Sequence, residues 1–184
     1  MKKGKLILML LVLLLATPMM NAQKYGVRAG LNISTLKGND IGAVNPRLAY
    51  YAAFYKEATL IPKILYLVPE AQYSSQGFKS ALIGGGEKEY TIDYINVPVL
   101  MKLYLLKAFS LEAGPQFGFK INDNYESLSG NDIETFDPGF AGGLGINFPF
   151  GLSFEARYTH GFKSIIKNTD VRDQVFQLGA AFQF

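Results

Sequence analysis

No cysteine, no tryptophan and only one histidine, His160, occur in the 184 residues. Without cysteine there is no disulfide, no thiolate nucleophile and no lipid-bearing cysteine behind a signal. A lone histidine without cysteine leaves too few nitrogen and sulfur ligands for a zinc site. Beyond residue 23 no apolar run approaches the roughly 20 residues that a membrane-crossing helix needs. A chain of this kind that lives in a bilayer must cross it as strands. Surplus charge is lacking too. The formal +3 is owed to Lys2, Lys3 and Lys5: taken from 18 Lys+Arg, these three leave 15 against 15 Asp+Glu. That removes a global basic pull toward nucleic acid.

What is present is aromatic and small: 14 Phe, 11 Tyr and 19 Gly in a length that suits one domain. Lys2, Lys3 and Lys5 precede an apolar stretch over 6–16, followed by Thr17, Pro18 and a small residue at Ala22. The order of basic, apolar and small segments predicts a secretory signal over 1–22, cleaved after Ala22. An uncleaved anchor is the other reading, and the apolar stretch is short for it. The remaining 23–184 form the predicted barrel domain.

The last stretch organises the rest. Phe176, Leu178, Ala180, Phe182 and Phe184 alternate with Val175, Gln177, Gly179, Ala181 and Gln183. A period of two gives a strand with one apolar face. An aromatic last residue with apolar residues at every second position before it resembles the signal that the barrel assembly machinery reads in bacterial outer-membrane proteins. The plainer reading is the final strand of a soluble sheet.

Seven more runs alternate in the same way, over 25–33, 47–56, 63–75, 90–104, 108–121, 136–148 and 152–160. The cleanest is the fifth, where Phe109, Leu111, Ala113, Pro115, Phe117, Phe119 and Ile121 alternate with Ser110, Glu112, Gly114, Gln116, Gly118 and Lys120. The second run carries Leu48, Tyr50, Ala52 and Phe54 on one face but Tyr51 and Tyr55 on the other, so its direction stays open. Connections over 34–46, 76–89, 122–135 and 161–172 are long, and those over 57–62, 105–107 and 149–151 are short. Even strand number with alternating long loops and short turns predicts an all-β, eight-stranded antiparallel up-and-down transmembrane barrel. A soluble eight-stranded ligand-binding barrel shares the alternation and would turn its apolar face inward.

Sorting the charges by phase puts Arg28, Glu70, Lys102, Glu112, Lys120, Asp137, Glu155 and Arg157 on the face away from lipid. An eight-stranded interior is just wide enough to be filled by side chains. Four bases and four acids there predict an internal salt-bridge network, with inward glycines leaving room for it. A polar conduit is the competing reading.

Catalysis is not expected. His160 stands on the opposite face from Ser153 and Glu155 by phase, and is followed by Gly161-Phe162 where lipid A deacylases carry His-x-Ser. The loop carboxylates Asp40, Glu87, Glu89, Asp123, Glu126, Asp132 and Glu134 lack the spaced pattern of a calcium loop. Gly84–Gly86 and Gly142–Gly145 lack the helix that a phosphate cradle needs. No catalytic, metal or cofactor residue is assigned. Phe78, Leu82, Ile83, Tyr125, Leu128, Ile165 and Ile166 make the loops apolar, as an outer contact surface or as packing of loops on one another.

Several blocks in order carry a resemblance: Gly26 to Asn32 (GVRAGLN), Pro69-Glu70 with Tyr73-Ser74 and Gly77, Tyr94 to Pro98, Glu112 to Gln116, Gly142 to Gly145, Glu155 to Tyr158, and the terminal strand. The chain from residue 23 on resembles the outer-membrane β-barrel proteins of Bacteroidetes grouped as the porin family, PorT-like members among them. The resemblance implies an outer-membrane barrel and says little about activity; PorT itself is linked to type IX secretion. Two departures are a short third loop and the absence of any segment resembling a peptidoglycan-binding domain. The expectation is a non-enzymatic barrel with a structural or interaction role, serving secretion or assembly. Its partners would be outer-membrane lipid, the barrel assembly machinery and a protein held by the outer loops, with no nucleic acid and no cofactor. A narrow passive channel is the alternative, and a lipid-modifying enzyme stands behind it.

Overall fold

The structure, a computed structural model, describes residues 24–38, 44–81, 86–106, 108–124, 133–165 and 170–184. The signal expected over 1–22 lies outside the described residues. Eight strands follow one another: β1 (Lys24–Gly38), β2 (Val44–Ile61), β3 (Leu65–Ala81), β4 (Glu87–Leu105), β5 (Phe109–Asp123), β6 (Phe136–Asn147), β7 (Leu152–Gly161) and β8 (Val171–Gln183). Each pairs antiparallel with the next, and β8 pairs with β1 to close the barrel. At the seam Tyr25 and Phe184 exchange backbone hydrogen bonds of 3.2 and 2.8 Å. Closure leaves no unpaired edge, the condition for backbone in hydrocarbon.

Which face points out is now plain. Leu31, Leu48, Tyr50, Met101, Leu144, Phe154, Tyr158 and Phe182 are 46–63% exposed. Apolar side chains form a band around the outside of the barrel, far beyond the patches that a water-soluble surface carries. The soluble barrel with an apolar interior is thereby set aside. In β2 the ambiguity resolves with Tyr51 and Tyr55 inside, 3% and 1% exposed, and Leu48, Tyr50 and Phe54 outside. Glycines opposite make this fit: a Cβ on Gly179 would stand 2.2 Å from the Tyr51 hydroxyl, and one on Gly26 would stand 2.3 Å from the Tyr55 ring.

The strands run further than the alternation predicts. β3 and β4 pair as far as Ala81 and Glu87, so most of the connection expected over 76–89 is a hairpin. β1 likewise reaches Gly38 and β2 begins at Val44. The 19 residues of β4 exceed the roughly 9–11 that cross a bilayer. These extensions carry Lys79, Ser80, Glu87, Lys88 and Glu89. They meet water on the outside, so their hydropathy loses its period of two.

The interior is layered. Nearest the short turns lie Tyr66 and Tyr104 with Lys102 and Glu57, then Val68 and Leu100 beside the remaining charged groups, then a belt of amides. The amides are linked: Gln177 donates to Asn32 at 2.9 Å, Asn32 to Ser74 at 2.9 Å, and Asn96 to Gln72 at 3.3 Å. At the loop end Leu36, Phe78, Ile92, Tyr94, Ile133, Ile165 and Val171 form an apolar cluster. Two of these, Ile133 and Ile165, come from segments between strands. The backbone pins those segments, with Glu134 N–H donating to Ile165 C=O at 2.7 Å and Ile165 N–H to Val171 C=O at 2.8 Å.

Candidate functional site: the charged interior

Alternation sends one residue in two inward, and the register then decides which inward residues share a height. Arg28 comes from β1, Glu57 from β2, Glu70 from β3, Lys102 from β4, Glu112 from β5, and Glu155 and Arg157 from β7. β6 and β8 contribute Gly143, Gly145, Gly179 and Ala181 at these levels. Two strands without side chains of any length give up their share of the lumen to the long ones.

Arg28 is the hub. It lies 2.6 Å from Glu70, 3.5 Å from Glu112 and 2.6 Å from Glu155. The Nε–Glu155 approach is an ion pair whose alignment falls short of a hydrogen bond. Arg157 reaches Glu70 at 3.2 Å and Glu112 at 2.7 Å. Lys102 joins Glu155 at 3.4 Å to Glu57 at 3.1 Å. No side chain in these pairs is more than 4% exposed. Charges withdrawn from water this far are tolerable only when paired and hydrogen-bonded.

The pairs link three bases to four acids. Neutral donors spread the extra negative charge: Tyr104 hydroxyl donates to Glu57 at 2.9 Å, Gln72 amide to Glu70 at 3.0 Å and Ser153 hydroxyl to Glu155 at 3.4 Å. The Arg28 guanidinium also lies 5.1 Å from the centre of the Tyr55 ring.

Six of the eight charged residues sorted inward by phase therefore meet: Arg28, Glu70, Lys102, Glu112, Glu155 and Arg157. Lys120 and Asp137 do not. Lys120 pairs with Asp123 three residues on, near the loop end. Asp137 lies opposite Gly118 on β5, far above the network along the barrel axis, with Oδ1 lacking a hydrogen-bond partner among the described residues. Phase predicts which way a side chain points but not its height. Glu57 escapes the sorting because the sequence from 57 to 62 reads as a turn. Continuing the period of two from Tyr51 through Tyr55 would have found it.

Toward the short turns the lumen opens into a vestibule of about 360 Å³, whose lining includes Lys24, Glu57, Lys63, Tyr66, Lys102 and Tyr104. Its floor is the Lys102–Glu57 pair. On β8, Phe176, Leu178 and Phe182 project outward, and Phe184 is exposed at the seam. Ala180 shares their phase.

His160 faces outward, its Nδ1 3.4 Å from Gln174 Nε2, whereas Ser153 and Glu155 face inward and are buried. The three cannot act on one substrate. Among the described residues no group of three or more His, Asp or Glu is placed to hold a metal ion. Of the loop carboxylates, Glu87, Glu89, Asp123 and Glu134 each meet a donor or a base: Asn45, Arg47, Lys120 and Lys163. Asp40, Glu126 and Asp132 lie outside the described residues. Of the apolar loop residues, Phe78 and Ile165 are buried inside the barrel mouth, 3% and 1% exposed. Leu82, Ile83, Tyr125, Leu128 and Ile166 lie outside the described residues.

Residues 21–167 match the family described as outer membrane protein beta-barrel domain. No curated protein matches the chain in sequence. Among solved structures it is similar to Neisserial surface protein A (TM-score 0.60, 9% identity, 89% of this chain and 100% of that one). It is similar also to Ail, the attachment invasion locus protein of Yersinia pestis, solved with the heparin analogue sucrose octasulfate (TM-score 0.57, 14% identity, 89% and 100%). A third is OprG of Pseudomonas aeruginosa (TM-score 0.53, 12% identity, 89% and 96%). Identities this low speak for the fold alone. The family match covers most of the chain: it belongs to the outer-membrane β-barrel family, and its place is the outer membrane.

Proposed function

Taking that membership as the premise, we propose that this barrel is a closed, membrane-anchored scaffold rather than a conduit or an enzyme. It works through the segments it holds at the cell surface, in a structural or interaction role that serves secretion or assembly. One observation carries this reading: the lumen is obstructed twice, by the Arg28–Glu70–Glu112–Glu155–Arg157 network and by the Phe78–Ile133–Ile165 cluster. An eight-stranded barrel leaves no room around such side chains for a permanent aqueous path.

Export would follow cleavage after Ala22, and the barrel assembly machinery would read Phe176, Leu178, Ala180, Phe182 and Phe184. The vestibule beneath Lys102 favours the second reading, a narrow passive channel. Planar-bilayer conductance of the mature barrel, beside Arg157→Ala, separates the two. The scaffold gives no steady current from protein shown to have inserted. A steady current that changes in the variant would put the charges along a pore and transport first.

A further inference from the structure

On the outer surface of the β7–β8–β1 seam the apolar band ends at one height. Its last members are Ile33, Phe176 and Tyr158, which are cross-strand neighbours. The next outward row is Thr35, Gln174 and His160, and the row above it pairs Lys37 directly with Arg172. Like charges placed opposite one another in a sheet repel. Asp170 lies 3.3 Å from Arg172, both side chains about half exposed, and so offsets one of the two cations. Lys37 has no ion-pair partner among the described residues.

Between these groups is a surface cup of about 320 Å³, lined by Lys37, Gly38, His160, Asp170, Arg172 and Gln174. His160 also lines a second depression of about 380 Å³, with Phe140, Gly142, Tyr158 and Phe162. The first is cationic and stands just above the bilayer's apolar band. The second is apolar and lies within it. Gly142 opens the second without any steric need. The nearest atom to a Cβ placed there is 3.9 Å away, whereas every other strand glycine has one within 3.0 Å. Nothing packed inside the barrel demands glycine at this position, and the space it leaves faces lipid.

We propose that the Lys37–His160–Arg172 cup and the Gly142 notch together hold one phosphorylated acyl glycolipid of the outer leaflet. The phosphate lies between Lys37 and Arg172, with the His160 imidazole and the Gln174 amide beneath it. An acyl chain lies along Phe140, Tyr158 and Phe162. Arginine and lysine on a partly apolar surface are suited to a phosphate anion. The site lies on the long-loop side of the barrel, which in an outer membrane meets the glycolipid leaflet and not the phospholipid one.

The test is native mass spectrometry of the folded barrel in detergent, titrated with diphosphoryl lipid A and, separately, with phosphatidylglycerol. Wild-type protein retains lipid A and holds phosphatidylglycerol more weakly. Lys37→Ala with Arg172→Ala lowers lipid A affinity about 30-fold, from about 1 kcal/mol per basic residue at an anionic surface and about 1.4 kcal/mol per decade. Gly142→Leu, which fills the notch, lowers it about tenfold, the equivalent of roughly two buried methylenes. Exposed Lys88→Ala serves as the charge control and leaves binding unchanged. The substitutions at Lys37, Arg172 and Gly142 lie on the outer surface and that at Lys88 at the exposed barrel mouth, and heat-dependent gel migration checks that each variant is folded. Equal binding of lipid A by wild type and the double variant would overturn the proposal. So would equal affinity for the two lipids, or indifference to Gly142→Leu.

Discussion

Toward the short turns, the lumen is filled by Arg28, Lys102 and Arg157 against Glu57, Glu70, Glu112 and Glu155. Toward the loops, it is filled by Leu36, Phe78, Ile92, Ile133, Ile165 and Val171. Both fillings are buried, yet their physics differs. Ion pairs deep in a barrel are directional and interdependent, because each carboxylate relies on a base it cannot replace with water. The apolar cluster is non-directional, and two of its members arrive on segments between strands. The first filling ties six strands to one another. The second ties the outer segments to the barrel. A closed interior and a held outer surface are thus separate properties with separate residues.

Breaking the charged end should cost most. Arg28→Ala leaves Glu70 and Glu155 without their shortest partner and should destabilise the barrel by about 3–5 kcal/mol, the usual penalty for orphaning a buried charge. Urea unfolding in lipid vesicles would measure it. The apolar end should yield less and in a different place. Ile165→Ala should cost about 2–3 kcal/mol, at the lower end for a buried isoleucine because an outer segment can partly collapse onto the gap. The loss should show as faster protease cleavage of the outer segments, with the barrel itself still folded. A change in the unfolding midpoint as large as that of Arg28→Ala would mean that the two ends are one cooperative unit.

The comparison sharpens with a paired replacement. Arg157→Leu with Glu112→Leu removes a base and an acid together and should cost about 1 kcal/mol or less, well below the sum of the single changes. Additive losses in that cycle would show that the two residues act independently despite their 2.7 Å contact. The smallest effect belongs to Lys120. Its bridge to Asp123 is partly wet, with both side chains near 20% exposed, so Lys120→Ala should change stability by less than about 1 kcal/mol. A larger loss would return Lys120 to the interior network from which its position near the loop end removes it.

The two ends also differ in how well the sequence announces them. Arg28, Glu70, Glu112 and Arg157 stand alone among apolar alternation, so their phase is readable at once. Phe78 and Ile165 sit in polar stretches without a period and read as loop. In the structure Phe78 belongs to a strand whose outside meets water, and Ile165 reaches the interior by a backbone pinned to Val171. Tyr51 and Tyr55 were ambiguous for another reason: aromatic rings suit lipid and lumen alike. Glycines on the adjacent strand β1 and on β8 beyond it, not visible to β2 alone, leave room for them inside.

Read by itself, the sequence determined the strand count, the pairing rhythm and, on most strands, the side to which each residue turns. All three follow from a local period of two. Tertiary structure decided how high each side chain stands along the barrel axis. It thereby decided that Glu57 joins the charged network while Lys120 and Asp137 do not, and that Lys37 and Arg172 confront each other across the closing seam. Height depends on the stagger between strands, which is set by closure of the whole sheet and is written in no single strand.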